Sequence, residues 1–143
     1  MFGGLDISVS GMVAQRTRLD TIAANLANRS TTRDAEGNPN PYRRRFAVFA
    51  EGDPTATTNA GKDRGTHVAQ IELDMSEFQK RYDPSHPDAK PQDHPDAGYV
   101  YLPNINPVME QVDALDAQRA YEANIAAADA TKALVSQALR LLA

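Results

Sequence analysis

PVMEQVDALDAQRAYEANIAAADATKALVSQALRLL, residues 107–142, is the stretch on which the fold turns. Asn106 is suited to cap free backbone N–H groups, Pro107 fits the first helical position, and Glu110 places a carboxylate at the positive end of the helix dipole. A helix from Pro107 to Leu142 runs for roughly 54 Å at 1.5 Å per residue, far longer than an ordinary globular helix. Tyr121, Ile125, Ala128, Lys132, Val135, Leu139 and Leu142 follow at alternating steps of four and three, the spacing of a heptad seam. Ala114, Ala117, Ala120, Ala123 and Ala126 recur at every third position, which favours helix and lets another backbone approach closely. Such a helix needs a partner along most of its length.

The other end of the chain repeats the pattern. Leu5, Val9, Met12, Arg16, Leu19, Ala23 and Leu26 keep the same four-three alternation. All nine prolines lie between Pro39 and Pro107, so the two ends read as helices and the middle does not. The expected fold class is therefore mainly α: long N- and C-terminal helices forming a coiled-coil-like helical domain, joined by an irregular Pro-rich arm with short β-strands. Its divisions are residues 1–28, 29–106 and 107–143, the first and last being the helices. An intramolecular hairpin is the plain reading of the two stripes. Ala-rich seams of this length offer little area to order two helices in isolation, however, so the helices are expected to fold against neighbouring subunits. Within the arm, Arg45–Ala50, His67–Leu73 and Tyr99–Leu102 read as strands, and residues 50–66 as a flexible loop.

Composition agrees with a thin interior. Leu, Ile, Val and Phe supply 27 of 143 residues, and much of the remaining apolar content is Ala. A net charge of −4 and a pI near 5.3 argue against a general nucleic-acid binder. The Arg43-Arg44-Arg45 cluster, flanked by Tyr42 and Phe46, is assigned to an exposed edge or a protein partner. No Cys is present, which removes disulfides, thiolate metal sites and Cys nucleophiles. His67, His86, Asp88, His94 and Asp96 crowd the middle, with HPDA occurring twice, but they sit in Pro-rich turns without fixed helical spacing. No metal site, cofactor or catalytic residue is assigned. No apolar run is long enough for membrane insertion, and the first residues lack the charged n-region of a cleaved signal peptide. A soluble helical binding module with a metal-binding or regulatory His/Asp loop is the alternative from another class.

Two strings carry a resemblance: Ala24-Asn25-Leu26-Ala27-Asn28, and residues 113–124, DALDAQRAYEAN. With Pro41-Tyr42-Arg43, the Tyr82-Asp83-Pro84 turn and GYVYLPNIN at residues 98–106, they resemble the flagellar axial proteins of rod and hook, in particular the proximal-rod type. The likeness covers most of the chain outside roughly residues 50–70. It implies a non-enzymatic subunit of the bacterial flagellar basal-body rod, in the periplasmic space where an outer membrane is present. Such a subunit is exported by the flagellar type III apparatus and packed helically with copies of itself, other proximal-rod proteins and the distal-rod protein, to carry torque from motor to hook. The two seams, with Asn25, Asn28, Gln118, Arg119 and Asn124 from the matching strings, are then the expected subunit interface. Arg16 and Lys132, the lone charges of their seams, need a route to water or a carboxylate, and Arg16 is expected to pair with a neighbour's C-terminal helix. The family usually passes from one HPDA-like string almost directly to GYV, whereas AKPQDHPDA intervenes here, leaving the path of residues 83–98 open.

Overall fold

A computed structural model describes residues 2–142, with side chains described for 3–141. Helix α1 spans Phe2–Ala27, strand β1 Arg45–Glu51, helix α2 Asn59–Arg64, strand β2 Thr66–Leu73, strand β3 Gln79–Tyr82, strand β4 Tyr99–Leu102 and helix α3 Pro107–Leu142. The chain is mainly helical, with two separate antiparallel ribbons, β1–β2 and β3–β4, in its middle.

Helix α3 starts as its sequence dictates. Asn106 Oδ1 accepts from Val108 N at 3.1 Å, and Asn106 O accepts from Glu110 N at 3.0 Å. Helix α1 ends where Asn28 turns back, its Nδ2 donating to Ala24 O at 2.9 Å while its Oδ1 accepts from Thr31.

The two long helices lie antiparallel in one subunit. Asn25 meets Glu110, Arg18 meets Asp113, a Cβ on Gly11 would sit 2.7 Å from Asn124 Nδ2, and one on Gly4 would sit 3.5 Å from Thr131. The expectation that the helices fold against neighbouring subunits, since one subunit could not bury them, is corrected in favour of the plain hairpin reading: α1 and α3 pack on each other. The reason lies in which face is buried. On α1 the inward residues are Ser8, Gly11, Ala14, Thr21, Ile22 and Asn25. Small residues let the backbones approach, and the buried hydroxyls return hydrogen bonds to their own helix, Ser8 to Gly4 O and Thr21 to Thr17 O. Close approach replaces bulk, so little apolar side chain is needed.

The β1–β2 ribbon lies along α1. Arg45, which opens β1, bonds Asn25, and Thr66, which opens β2 opposite Glu51, donates its N–H to Ser10 Oγ at 3.0 Å. Fifteen helical residues span about 22 Å and six strand steps about 20 Å, so the two elements match in length. A bulge between Val48 and Phe49 shifts the register.

Residues 50–66 are not a free loop. Asp6 on α1 accepts from Thr57 Oγ1 and from Thr58 N, both at 2.9 Å, and Thr58 in turn caps α2 through Gly61 N. Gly61 and Gly65 pack so tightly against α1 that a Cβ would fall 2.8 Å from Asp6 Cβ and 2.9 Å from Ser10 Oγ respectively. A polar, glycine-containing segment is ordered by α1, which its composition does not reveal. Strand β3, all four residues exposed, likewise exists only by pairing with β4.

The second HPDA closes as a loop of its own. Lys90 N donates to Tyr99 O and Gly98 N to Lys90 O, both at 3.0 Å, pinching off residues 91–97. Both copies fold alike: His86 Nδ1 accepts from Asp88 N and His94 Nδ1 from Asp96 N, each at 3.1 Å.

Candidate subunit interface

Beneath the outer surface sits a buried polar junction that joins α1, β1 and α3. Asn25 and Glu110 are both wholly buried. Asn25 treats the Arg45 peptide as a strand would, accepting from Arg45 N at 2.9 Å and donating to Arg45 O at 2.7 Å. Its Nδ2 also donates to Glu110 Oε2 at 3.0 Å. The other Glu110 oxygen accepts from Arg44 Nε at 2.5 Å, and Arg44 Nη2 donates to Asp113 at 3.2 Å, where Arg18 arrives from α1 at 3.4 Å. Asn104, just before α3, accepts from Arg44 N at 2.8 Å and donates to Asp74 O at 3.0 Å. A buried carboxylate is tolerable because a guanidinium and an amide satisfy both oxygens.

This arrangement revises the reading of the three arginines. Arg44 is an internal clamp, and Arg43 folds over Phe78 at 4.2 Å while donating to the carbonyls of Asp74 and Ser76. Only Arg45 is exposed. Arg44, Asn104, Glu110 and Asp113 as a set escaped sequence reasoning, since each has an ordinary local role. Glu110 next to a buried Asn is visible only once the chain has folded.

Asn25 is thus a residue of the subunit's interior, and Asn124 faces Gly11 across the hairpin. Of the other seam residues, Leu5, Met12, Leu19, Leu26, Asn28, Tyr121, Ala128 and Val135 are half-buried. Val9, Arg16, Ala23, Gln118, Arg119, Ile125, Lys132 and Leu139 are exposed, and the Leu142 side chain lies outside the described residues. Arg16 makes no ion pair among the described residues; Arg18, two positions on, is the arginine of α1 that meets α3. The seams read from hydrophobicity therefore lie beside the buried stripe, with their large residues partly or fully outward. Val13, Val108, Met109, Val112, Leu115 and Leu134 extend this apolar surface.

The histidines and aspartates of the arm are engaged in turns and pairs. His67 Nδ1 donates to Gly52 O at 2.6 Å, Asp88 binds Arg33 at 2.6 Å, and Asp96 accepts from Lys80 at 3.1 Å and from the Tyr101 hydroxyl. The Arg33 bond, then Thr32, holds the Asp88 carboxyl below the ordinary value, and Tyr101 followed by Lys80 does so for Asp96. Among the described residues no three His, Asp or Glu converge as a metal cluster would, and no helix is long and apolar enough to cross a membrane.

The two terminal helices of this hairpin carry the matches that define the class, that of the flagellar basal-body rod proteins. Residues 5–33 match the family described as flagella basal body rod protein, and residues 96–141 the C-terminal family of flagellar basal body rod FlgEFG proteins. Among full-length relatives, the flagellar basal-body rod protein FlgC of Bacillus subtilis is 38% identical, with the match covering 98% of this chain and 97% of its own. That of Borreliella burgdorferi is 40% identical over 99% and 97%, and that of Aquifex aeolicus 41% over 92% and 90%. The chain belongs to the FlgC family of flagellar basal-body rod proteins. These are structural proteins, not enzymes.

Proposed function

We propose that the chain is a structural subunit of the proximal rod of the bacterial flagellum, assembling helically through its terminal helices and transmitting motor torque to the hook. In this reading residues 1–28 and 107–143 form the axial core and residues 29–106 the arm. Export by the flagellar type III apparatus and a periplasmic setting follow from the same proposal, as do neighbours among the other rod proteins. The observation that carries it is the second apolar surface. The hairpin satisfies itself with small residues and leaves Val9, Leu115, Ile125 and Leu139 between 40% and 61% exposed on the outside. Large apolar side chains left exposed in this number mark association surfaces. A head-to-tail contact that does not close generates an open helix of subunits.

The test replaces Leu115 and Ile125 by Glu. The purified variant should keep its helical circular dichroism, because neither residue is buried, while cells carrying it lose motility and yield basal bodies without the chain. Wild-type motility in this variant refutes the proposed face. Arg16→Glu probes the same surface at its charge: blocked assembly supports a carboxylate partner on a neighbour, and normal assembly removes it.

A further inference from the structure

Two features of the chain have no partner among the described residues. The first is a groove of about 710 Å³ between α1 and β2, with Val9 and Val13 on the helix and Val68 and Ile71 on the strand, closed at one side by residues 53–57. Val13 is 61% and Ile71 50% exposed there. Its rim carries Asp6 and Asp53. Hydrogen bonds from Thr58 and Thr57 hold the Asp6 carboxyl below the ordinary value, and bonds from Thr55 do so for Asp53, so the rim is anionic at neutral pH.

The second is the end of α3. Gly4 lies beside Thr131, so the last nine residues or so of α3 run past the start of α1 for about 13 Å. Leu134, Leu139 and Leu141 are 61–87% exposed there, on a broad face opposite the one that carries Ser136, Gln137 and Arg140. An apolar helix face of this width packs against a partner in its working state. Lys132 and Arg140 give this end its charge, opposite in sign to the groove rim.

We infer that the C-terminal end of α3 from a second copy of this chain occupies the α1–β2 groove. The inference rests on the proposed rod function and specifies which two surfaces meet. The apolar groove meets the apolar face of the helix, and the acidic rim at Asp6 and Asp53 meets a helix end whose charges, Lys132 and Arg140, are basic. The groove centres near Met12, level with Asn124 or its neighbour on α3, and the helix end centres near Ala138. Parallel copies in this contact are therefore offset by about 22 Å along the helix axis. The two surfaces are different patches of one chain, so the contact is heterologous and repeats without closing on itself.

The chain has no Cys, so introduced thiols report without background. Cells express the full chain with Val13→Cys and Leu141→Cys together, or Ile71→Cys and Leu134→Cys together. Isolated basal bodies are then treated with a short bis-maleimide. Each pair should give dimers and higher multimers of this chain, and each single variant should lose them. Co-expressing Val13→Cys chains with Leu141→Cys chains should give dimers that do not grow. A crosslink to a different rod protein overturns the second-copy partner. Normal incorporation with no crosslink from either pair overturns the groove itself. If both pairs are excluded from basal bodies, the purified variants at rising concentration decide, and absence of multimers overturns the inference. Absence of the wild-type chain from basal bodies refutes instead the rod function on which it rests.

Discussion

Removing the Glu110 carboxylate should destabilise the isolated subunit more than any surface change on α3. Glu110→Ala deletes two hydrogen bonds to a buried anion, from Arg44 Nε at 2.5 Å and Asn25 Nδ2 at 3.0 Å. Bonds of this kind contribute about 1.5–3 kcal/mol each, and breaking a buried pair from one side costs about 3–5 kcal/mol. Two features pull the expected loss toward the lower end. Arg44 keeps Asp113 and remains a quarter exposed, and Asn25 Nδ2 keeps Arg45 O. The expected loss is about 3 kcal/mol, read as a lower urea midpoint at unchanged slope. Asn25→Asp should be comparably harmful, since it removes the donor and sets a second carboxylate against Glu110. The double-mutant cycle of Asn25→Ala with Glu110→Ala should show a coupling of about 1 kcal/mol or more. A loss below about 1 kcal/mol for Glu110→Ala, with no coupling to Asn25, would refute the junction as the element that holds the hairpin to its arm.

Acid should weaken the fold through the arm. Asp6, Asp88 and Asp96 are held below the ordinary carboxylate value, so the unfolded chain binds more protons as pH falls. Their contribution is intact above about pH 4 and is lost as pH drops through the folded values; thermal melts from pH 7 to pH 3 should show this, and Asp88→Asn should flatten the decline. Gly52 has φ of +78°, and a Cβ there would lie 2.5 Å from Lys62 O, so Gly52→Ala should cost about 1–3 kcal/mol, seen as a lower melting temperature. Gln15 Oε1 is buried without a hydrogen-bond donor among the described residues, and Gln15→Leu should stabilise the chain by about 1 kcal/mol in urea. A destabilised Gln15→Leu would show that the amide has a donor.

The two terminal helices were legible because proline is confined to the middle and Asn106-Pro107 announces α3. The hairpin between them was harder to read. Its inward stripe is Ser8, Gly11, Ala14, Thr21, Ile22 and Asn25, in which Ile22 is the one large apolar residue, so periodicity picked the adjacent stripe of Leu5, Val9, Met12 and Leu19. Three strand pieces were visible from β-branched and aromatic residues, whereas QKRY at β3 owes its conformation to Tyr99–Leu102 opposite. Helix α2 is six residues long and depends on Asp6, more than fifty positions away. The junction was invisible for the same reason: Asn25, Arg44 and Glu110 are brought together across separations that no local pattern encodes.

The pinched turn at residues 91–97 offers a practical handle. Its two ends are fixed to each other by the Lys90 hydrogen bonds with Gly98 and Tyr99, and Gln92 and Asp93 at its tip are exposed. Added length between Gln92 and Asp93 opens the turn that His94 N closes onto Pro91 O at 3.0 Å, leaves the anchor points in place, and costs loop entropy of about 0.6 kcal/mol per doubling. A fluorophore-binding tag or a small epitope placed there would ride on the arm without pulling on the hairpin, so the subunit can be tracked while its helices remain free to make their contacts.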